Sequence, residues 1–193
     1  MRTDSAVRTA ASVSRRAGSL AIAGAIGFVV VVSTLHFLQP GYDLVHQLMS
    51  ELALGAHGWA MLLAFLLIAG SMFSLAFGIA QFQRSPWLLV VLAVAALAFL
   101  GAGVFPLGRA SEWHIALIAT AFVAVVLAMY LLPSVAPAQF GGKAKGVSLC
   151  LAGGTALSVF LGHSILPIGV GQRLAAACVV TWICFTGARL RGM

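Results

Sequence analysis

The side chains that could do chemistry lie around the ends of long apolar runs and not within them. The histidines come first: His36, His46, His57, His114 and His163. Three of the four acidic residues accompany them, namely Asp43, Glu51 and Glu112. Imidazole and carboxylate together suit zinc or a similar ion. A metal site is therefore one hypothesis, with His46, His114 and His163 as its candidate ligands.

Other catalytic chemistries have weaker support in the sequence. No HExxH motif and no paired-histidine spacing accompanies the metal hypothesis. Haem held between two spans would need histidines that face each other inside the membrane, and none lies in the middle of an apolar run. Ser50 as a nucleophile lacks any elbow motif. The sequence therefore assigns no cofactor and no catalytic residue, and it leaves open whether the protein is an enzyme.

A binding role needs only suitable polar groups near one another. The candidate ligand-binding residues are polar and are expected on one side of a membrane: Asp43, His46, Ser50, Glu51, His114, Gln172 and Arg173. The Arg173 guanidinium could form an ion pair with Glu51, Asp43 or Glu112, or bind a lipid phosphate in bidentate fashion. Helix capping alone would explain Asp43. A solvated polar rim held by ion pairs is the simplest interpretation of the set.

The composition determines which elements carry these residues. Of 193 residues, 62% are hydrophobic and 8% are charged, whereas a soluble domain carries about 25% charged residues. So few polar side chains cannot cover a soluble fold, and the bilayer is the natural solvent. The three cysteines form no CxxC pair, which argues against a zinc ribbon or a disulfide framework. The length allows one compact bundle.

Six apolar runs are long enough to cross a bilayer as helices. They cover residues 19–38, 58–82, 87–105, 114–132, 147–166 and 174–188. Pro and Gly punctuate the connections between them. Because the runs are continuous and do not alternate, they indicate helices and not barrel strands. We predict an all-α, polytopic membrane protein with a bundle of six transmembrane helices.

The distribution of Lys and Arg predicts the orientation. Nine of the 11 basic residues fall on one side of the predicted spans, and only Arg109 and Arg173 fall on the other. The positive-inside rule then places both termini in the cytoplasm. We expect a basic cytoplasmic tail over residues 1–17, the membrane domain over residues 18–189 and a short cytoplasmic tail over residues 190–193. The net charge of +7 is explained in this way, without nucleic acid as a partner.

The longest outer connection joins the first two spans, over residues 39–57. Its centre, residues 44–54, is predicted to form a short amphipathic helix with Leu44, Leu48 and Leu52 on one side. Such a helix can lie in the membrane interface or fold back over the bundle. Small residues four apart mark faces for close helix packing, within the chain or in a homodimer: Gly70, Ser74 and Gly78, and Gly154, Ser158 and Gly162.

Several short motifs together resemble a known family. They are Pro40-Gly41-Tyr42-Asp43, Ser50-Glu51-Leu52 followed by Gly55 and Gly58-Trp59, Phe105-Pro106, His114, and Gly171-Gln172-Arg173-Leu174 with Trp182. In this order they resemble the prokaryotic six-helix membrane family catalogued as domain of unknown function 998. The resemblance covers nearly the whole chain from the first span onward. The family often has an acid soon after Phe-Pro, where this chain has Leu107-Gly108-Arg109. The resemblance implies six helices and no activity.

These observations lead to two functional hypotheses for a multi-pass protein of the cell (inner or plasma) membrane. The first is an outward-facing polar site that binds a lipid headgroup or small amphiphile, or a role as an accessory membrane subunit. The alternative is a metal-dependent hydrolase or transferase that acts on a lipid at the outer leaflet, with a carboxylate as general base. The expected partners are membrane lipids, with a second copy or another membrane protein as further partners.

Overall fold

A computed structural model describes residues 2–193, with side chains from Val7 onward. The elements are α1 (Arg2–Leu38), a 3-10 helix (Met49–Leu54), α2 (Ala60–Ile79), α3 (Pro86–Val104), α4 (Ser111–Val135), α5 (Pro137–Phe140), α6 (Lys143–Ser164) and α7 (Ile168–Arg191). The described residues contain no strand. Six helices are long and apolar enough to span a membrane, namely all except the short α5. The predicted all-α class and the six spans are confirmed.

The helices extend beyond several predicted limits. α1 begins at Arg2, so the described part of the predicted tail continues the first helix without a break. The Ser14 hydroxyl donates a hydrogen bond of 3.0 Å to the Gly78 carbonyl, which ties this extension to α2. α7 begins at Ile168, before the predicted 174–188, because polar side chains at a helix start do not interrupt the backbone hydrogen bonds.

The six spanning helices form a closed ring in chain order. Each packs against the helices before and after it, and α7 returns to pack against α1. The connections α1–α2, α3–α4 and α6–α7 lie at one end of this ring, which we call the polar end. The opposite end carries both termini and most of the Lys and Arg, and we call it the basic end. The ring encloses an apolar core that includes Met72, Phe99 and Trp182.

Buried polar side chains join helices across the apolar interior. The Ser71 hydroxyl donates to the Ala21 carbonyl at 2.9 Å, which links α2 to α1. The Trp182 indole N–H donates to Ser148 Oγ at 2.9 Å. The Ser148 hydroxyl in turn donates to the Met129 carbonyl at 2.7 Å. Because lipid offers no alternative partner, such bonds between helices hold the bundle together as well as satisfying the groups.

Glycines bring α6 and α7 into backbone contact. A Cβ atom added at Gly162 would lie 3.0 Å from Gly171 Cα, and one at Gly154 would lie 3.0 Å from Cys178 Sγ. The small residues predicted on α6 therefore pack against α7 within the chain, which is the first of the two predicted alternatives. The small residues predicted on α2 do not all pack against another helix. Gly70 is exposed and has open space beside it.

The connection between α1 and α2 folds differently from the prediction. Only Met49–Leu54 is helical, as a 3-10 helix, whereas residues 44–46 form a turn. The Asp43 carboxylate causes this turn by accepting the Val45 N–H at 2.8 Å. Of the predicted apolar side, Leu52 is fully buried, whereas Leu44 is 49% exposed. The predicted helix over residues 44–54 was therefore wrong in its first half.

A methyl group at the α6–α7 crossing should destabilise the protein. In Gly171→Ala the new Cβ would overlap Gly162 Cα and the Ser158 carbonyl oxygen, which costs about 1–3 kcal/mol of unfolding free energy. Gly153→Ala is the matched control, because it adds the same methyl to α6 where nothing lies within 4 Å. Thermal unfolding in detergent should show a lower midpoint for the first variant only. Equal midpoints would contradict the tight crossing.

Candidate functional site

Arg173 fastens the connection between α1 and α2 to the start of α7. We call residues 39–58 of this connection the strap. Arg173 Nη1 donates to the carbonyls of Gln47 at 3.0 Å and Gly169 at 2.8 Å. Nη2 donates to the Tyr42 hydroxyl at 2.6 Å and lies 3.0 Å from His36 Nε2. The half-buried guanidinium thus joins α1, the strap and α7 at one point.

The ion pair that the sequence suggested for Arg173 is not formed. Among the described residues the only ion pair joins Asp43 to His46, at 2.8 Å. The Glu51 carboxylate instead accepts the Leu48 N–H at 2.8 Å. Arg173 is surrounded by uncharged acceptors. The carboxylates of the strap accept N–H groups of the strap itself, and strap carbonyls point towards α7.

The neighbours of Arg173 leave it little capacity for a ligand. Four acceptors stand against its two Nη groups, which together carry four N–H donors. The remaining donor, on Nε, is enclosed and has no partner in the described part of the chain. The guanidinium also lies over the Tyr42 ring, 5.5 Å from its centroid. Arg173 therefore acts as a structural clamp in this arrangement.

Two further contacts fix the strap on α7. Gln172 Oε1 accepts the Met49 N–H at 2.6 Å. A Cβ at Gly169 would lie 2.5–2.6 Å from the carbonyl oxygens of Leu44, Val45 and Gln47, so only glycine permits this approach. The strap thus packs against the first turn of α7.

The Tyr42 hydroxyl links the strap to Arg173 through two hydrogen bonds. Its hydroxyl donates to the Leu48 carbonyl at 2.7 Å while it accepts from Arg173. Burial raises the pKa of the Tyr42 phenol above its usual range, although the Arg173 guanidinium acts in the opposite direction. The phenol therefore remains neutral and keeps its proton for Leu48 at ordinary pH.

A cavity of about 320 Å³ lies beneath the strap, between α4 and α6. Its wall is mostly apolar, with the polar side chains of Ser50, His114, His163 and Gln172 at its edge. Ile115, which also lines it, is 58% exposed on the outer surface of the bundle. The cavity thus reaches the face of the bundle that the surrounding membrane covers.

His114 is the most unusual residue at this cavity. It is 2% exposed, and its Nδ1 lies 2.9 Å from the Ala102 carbonyl oxygen and 3.0 Å from that of Phe105. Because both neighbours are acceptors, the proton is assigned to Nδ1, and in this tautomer Nε2 is an acceptor. Nε2 is enclosed and lacks a partner within the described residues. Such an orphaned buried acceptor costs about 1–3 kcal/mol.

His114 also borders a larger cavity that opens at the polar end. This cavity of about 900 Å³ lies between the end of the strap and the α3–α4 connection, with Trp59, Phe105 and Arg109 in its wall. Trp59 and Arg109 are exposed. His114 therefore stands between a cavity at the polar end and the apolar cavity between α4 and α6.

The structure divides the predicted site residues into separate groups. Ser50, His114, His163 and Gln172 line the α4–α6 cavity. The others serve the strap, either within it or as its clamp: Asp43, His46, Glu51 and Arg173. His46 and His163 are exposed, and His114 is buried. No three His, Cys, Asp or Glu side chains are grouped to hold a metal ion in the region described, so the predicted set of three histidines is not assembled.

Sequence reasoning missed the partners of Arg173. In the sequence His36 stands out only as one of five histidines near the ends of the apolar runs, and Tyr42 only as part of a family motif. They are separated from Arg173 by 137 and 131 residues. The signal available was the Arg173 charge itself, since a buried guanidinium needs several acceptors, but nothing in the chain pattern specifies which ones.

Comparison with protein families identifies the chain. The family model described as Protein of unknown function (DUF998) matches residues 22–189. The chain belongs to this family. The match runs from the middle of α1 almost to the end of α7, so it includes part or all of each spanning helix of this DUF998 protein. No curated protein and no solved structure matches the chain.

Loss of the clamp should loosen the strap in this DUF998 protein. Arg173→Met keeps an unbranched apolar stem, although a shorter one, and removes the donors, so we expect the unfolding free energy to fall by roughly 2–3 kcal/mol. Amide hydrogen exchange across residues 39–58 should rise. Arg109→Met at the same end is the control, because Arg109 is exposed. Unchanged exchange in the strap of Arg173→Met would show that it is held by other contacts.

The Asp43–His46 pair predicts a pH dependence at the acidic end of the scale. The hydrogen bond to His46 holds the pKa of the exposed Asp43 carboxyl below its usual range. A lowered pKa adds stability above the unfolded-state value of about 3.9, and this is lost as pH falls through the folded-state value. Asp43→Asn should therefore lower the thermal midpoint at pH 6. The difference from the unmodified protein should shrink below pH 4, and a constant difference would contradict the assignment.

Proposed function

We propose that this protein binds a membrane amphiphile in the cavity between α4 and α6, with the polar end facing outward from the cell membrane. The observation that carries the proposal is the enclosed, unpartnered Nε2 of His114 beside a mostly apolar cavity. Ligand sites are typically apolar clefts of about 300–1,000 Å³ with a few placed polar groups. The volume of about 320 Å³ lies at the lower end of that range.

The polar groups at the cavity favour a particular headgroup chemistry. His114 Nε2 is an acceptor and calls for a ligand donor, such as a hydroxyl. The Ser50 hydroxyl and the Gln172 side-chain amide nitrogen have no hydrogen-bond partner in the described part of the chain. Both can donate to a ligand oxygen. A neutral headgroup with a hydroxyl and an ester or ether oxygen matches this set.

The apolar part of such a ligand fits the remainder of the wall. Val159 and Ile118 line the cavity between the helices, and Ile115 leads to the membrane-facing surface. An acyl chain can therefore enter sideways from the bilayer while its headgroup stays beneath the strap. This arrangement needs no charged group in the ligand, in keeping with the commitment of Arg173 to the strap.

Binding of a monoacylglycerol tests the proposal. The probe carries a free hydroxyl, and the methyl ester of the same fatty acid is the comparison compound without one. Titration of the full-length protein in mild detergent, read by native mass spectrometry, should show tighter binding of the monoacylglycerol. His114→Phe should weaken it about tenfold, the value of one hydrogen bond of about 1.4 kcal/mol, and should leave the methyl ester unaffected.

A matched pair of tryptophan variants tests the location. Val159→Trp fills the cavity and should abolish binding, because Val159 lies in its wall. Leu157→Trp adds the same ring to α6 at a 56% exposed position outside the wall and should bind normally. Retained binding in Val159→Trp, with both variants folded by thermal unfolding, would exclude this cavity as the site.

A further inference from the structure

A cleft at the basic end gathers three arginines from the first and last helices. It has a volume of about 540 Å³ and is lined by Arg15, Arg16, Ser19, Leu20 and Arg191. The ring closure places these residues together, because α1 packs directly on α7 there. A Cβ added at Gly18 would lie 3.2 Å from Arg191 Cγ, which shows how closely this stem crosses α1.

The guanidinium groups in the cleft have no hydrogen-bond or ion-pair partner in the described chain. No hydrogen bond or ion pair joins the side chains of Arg15, Arg16 or Arg191 to another described residue. Arg189 behaves differently, since its side chain donates to the Gln139 carbonyl. Between positions 5 and 42 and after position 112 the sequence contains no acidic side chain, so none lies close in sequence to the three arginines.

The height of the cleft matches the level of lipid phosphates. Arg16 is 22 residues from Leu38 at the far end of α1, which corresponds to about 33 Å along a helix. The hydrocarbon layer is about 30 Å thick. Leu20 in the cleft is 63% exposed, and Trp87 at the start of α3 is 76% exposed at the same end. The apolar side of the cleft thus faces acyl chains, whereas its arginines lie at the headgroup layer.

We propose that this cleft binds the phosphate headgroup of an anionic phospholipid between α1 and α7. Guanidinium groups match phosphate oxygens in bidentate geometry, and basic pockets between membrane helices suit anionic headgroups. Leu20 contacts the first part of an acyl chain. The site is at the opposite end of the bundle from the α4–α6 cavity and does not depend on the function proposed for it.

Lipid titration of the delipidated full-length protein tests this site. Phosphatidylglycerol is the probe, and phosphatidylcholine with the same chains is the reference, both read by native mass spectrometry in mild detergent. Phosphatidylglycerol should bind more tightly. The triple variant Arg15→Gln, Arg16→Gln, Arg191→Gln should reduce its affinity by about tenfold or more, since each arginine near an anionic headgroup contributes appreciably.

A second triple variant separates a specific site from general attraction. Arg84→Gln, Lys143→Gln, Lys145→Gln removes the same charge from exposed residues of the same end and should change the affinity less than about threefold. Equal losses in the two triple variants would overturn the proposal. Val159→Trp should bind phosphatidylglycerol normally, so failure of the amphiphile hypothesis would be distinguished from failure here.

Inorganic phosphate distinguishes a lipid site from a site for the free anion. At the same concentration as the lipid it should displace no phosphatidylglycerol, because it lacks the chain that contacts Leu20. Displacement at equal concentration would overturn the assignment to a lipid. The single variants Arg15→Gln and Arg191→Gln provide intermediate affinities if the triple variant does not fold, and an unchanged affinity in both would also contradict the proposal.

Discussion

A guanidinium held only by uncharged acceptors organises the polar end of this protein. Removal of a charge from water is costly unless hydrogen bonds replace its hydration. Arg173 obtains these bonds from two backbone carbonyls, the Tyr42 hydroxyl and the His36 ring. Because no carboxylate neutralises it, the bonds must all be present together. The charge therefore enforces one conformation of the strap, and lysine, with a single nitrogen, could not reach the same set of acceptors.

The clamp also shapes the cavity that we propose as a ligand site. Gln172 is adjacent to Arg173 and bonds the Met49 N–H through its oxygen, which directs its amide nitrogen elsewhere. Ser50 follows Met49 and is buried. Two of the four polar side chains at the cavity, Ser50 and Gln172, are thus positioned by the contact between the strap and α7. His114 is positioned independently, by the Ala102 and Phe105 carbonyls at the end of α3.

The sequence alone predicts the spanning helices but not the conformation of the strap, and the reason is physical. Spans such as α2 and α3 follow from the length of an apolar run, since the bilayer sets that length. The face of α6 that carries Gly162 was also predicted as a close-packing face from residue size, although its partner α7 was not. The strap depends instead on which carboxylates bond their own backbone, as Asp43 and Glu51 do. That competition between local hydrogen bonds and helix is not visible in hydrophobic periodicity.

Closure of the ring by the last helix has a consequence for how the protein is made. Translation delivers α1 and the strap first, but Arg173 follows Gln47 by 126 residues. Until α7 is in place, His36 and Tyr42 lack the Arg173 donor, and α1 lacks its second neighbour. The polar end and the arginine cleft at the opposite end are both completed by the same late step. Insertion of α7 is thus the event that converts an open row of helices into the finished protein.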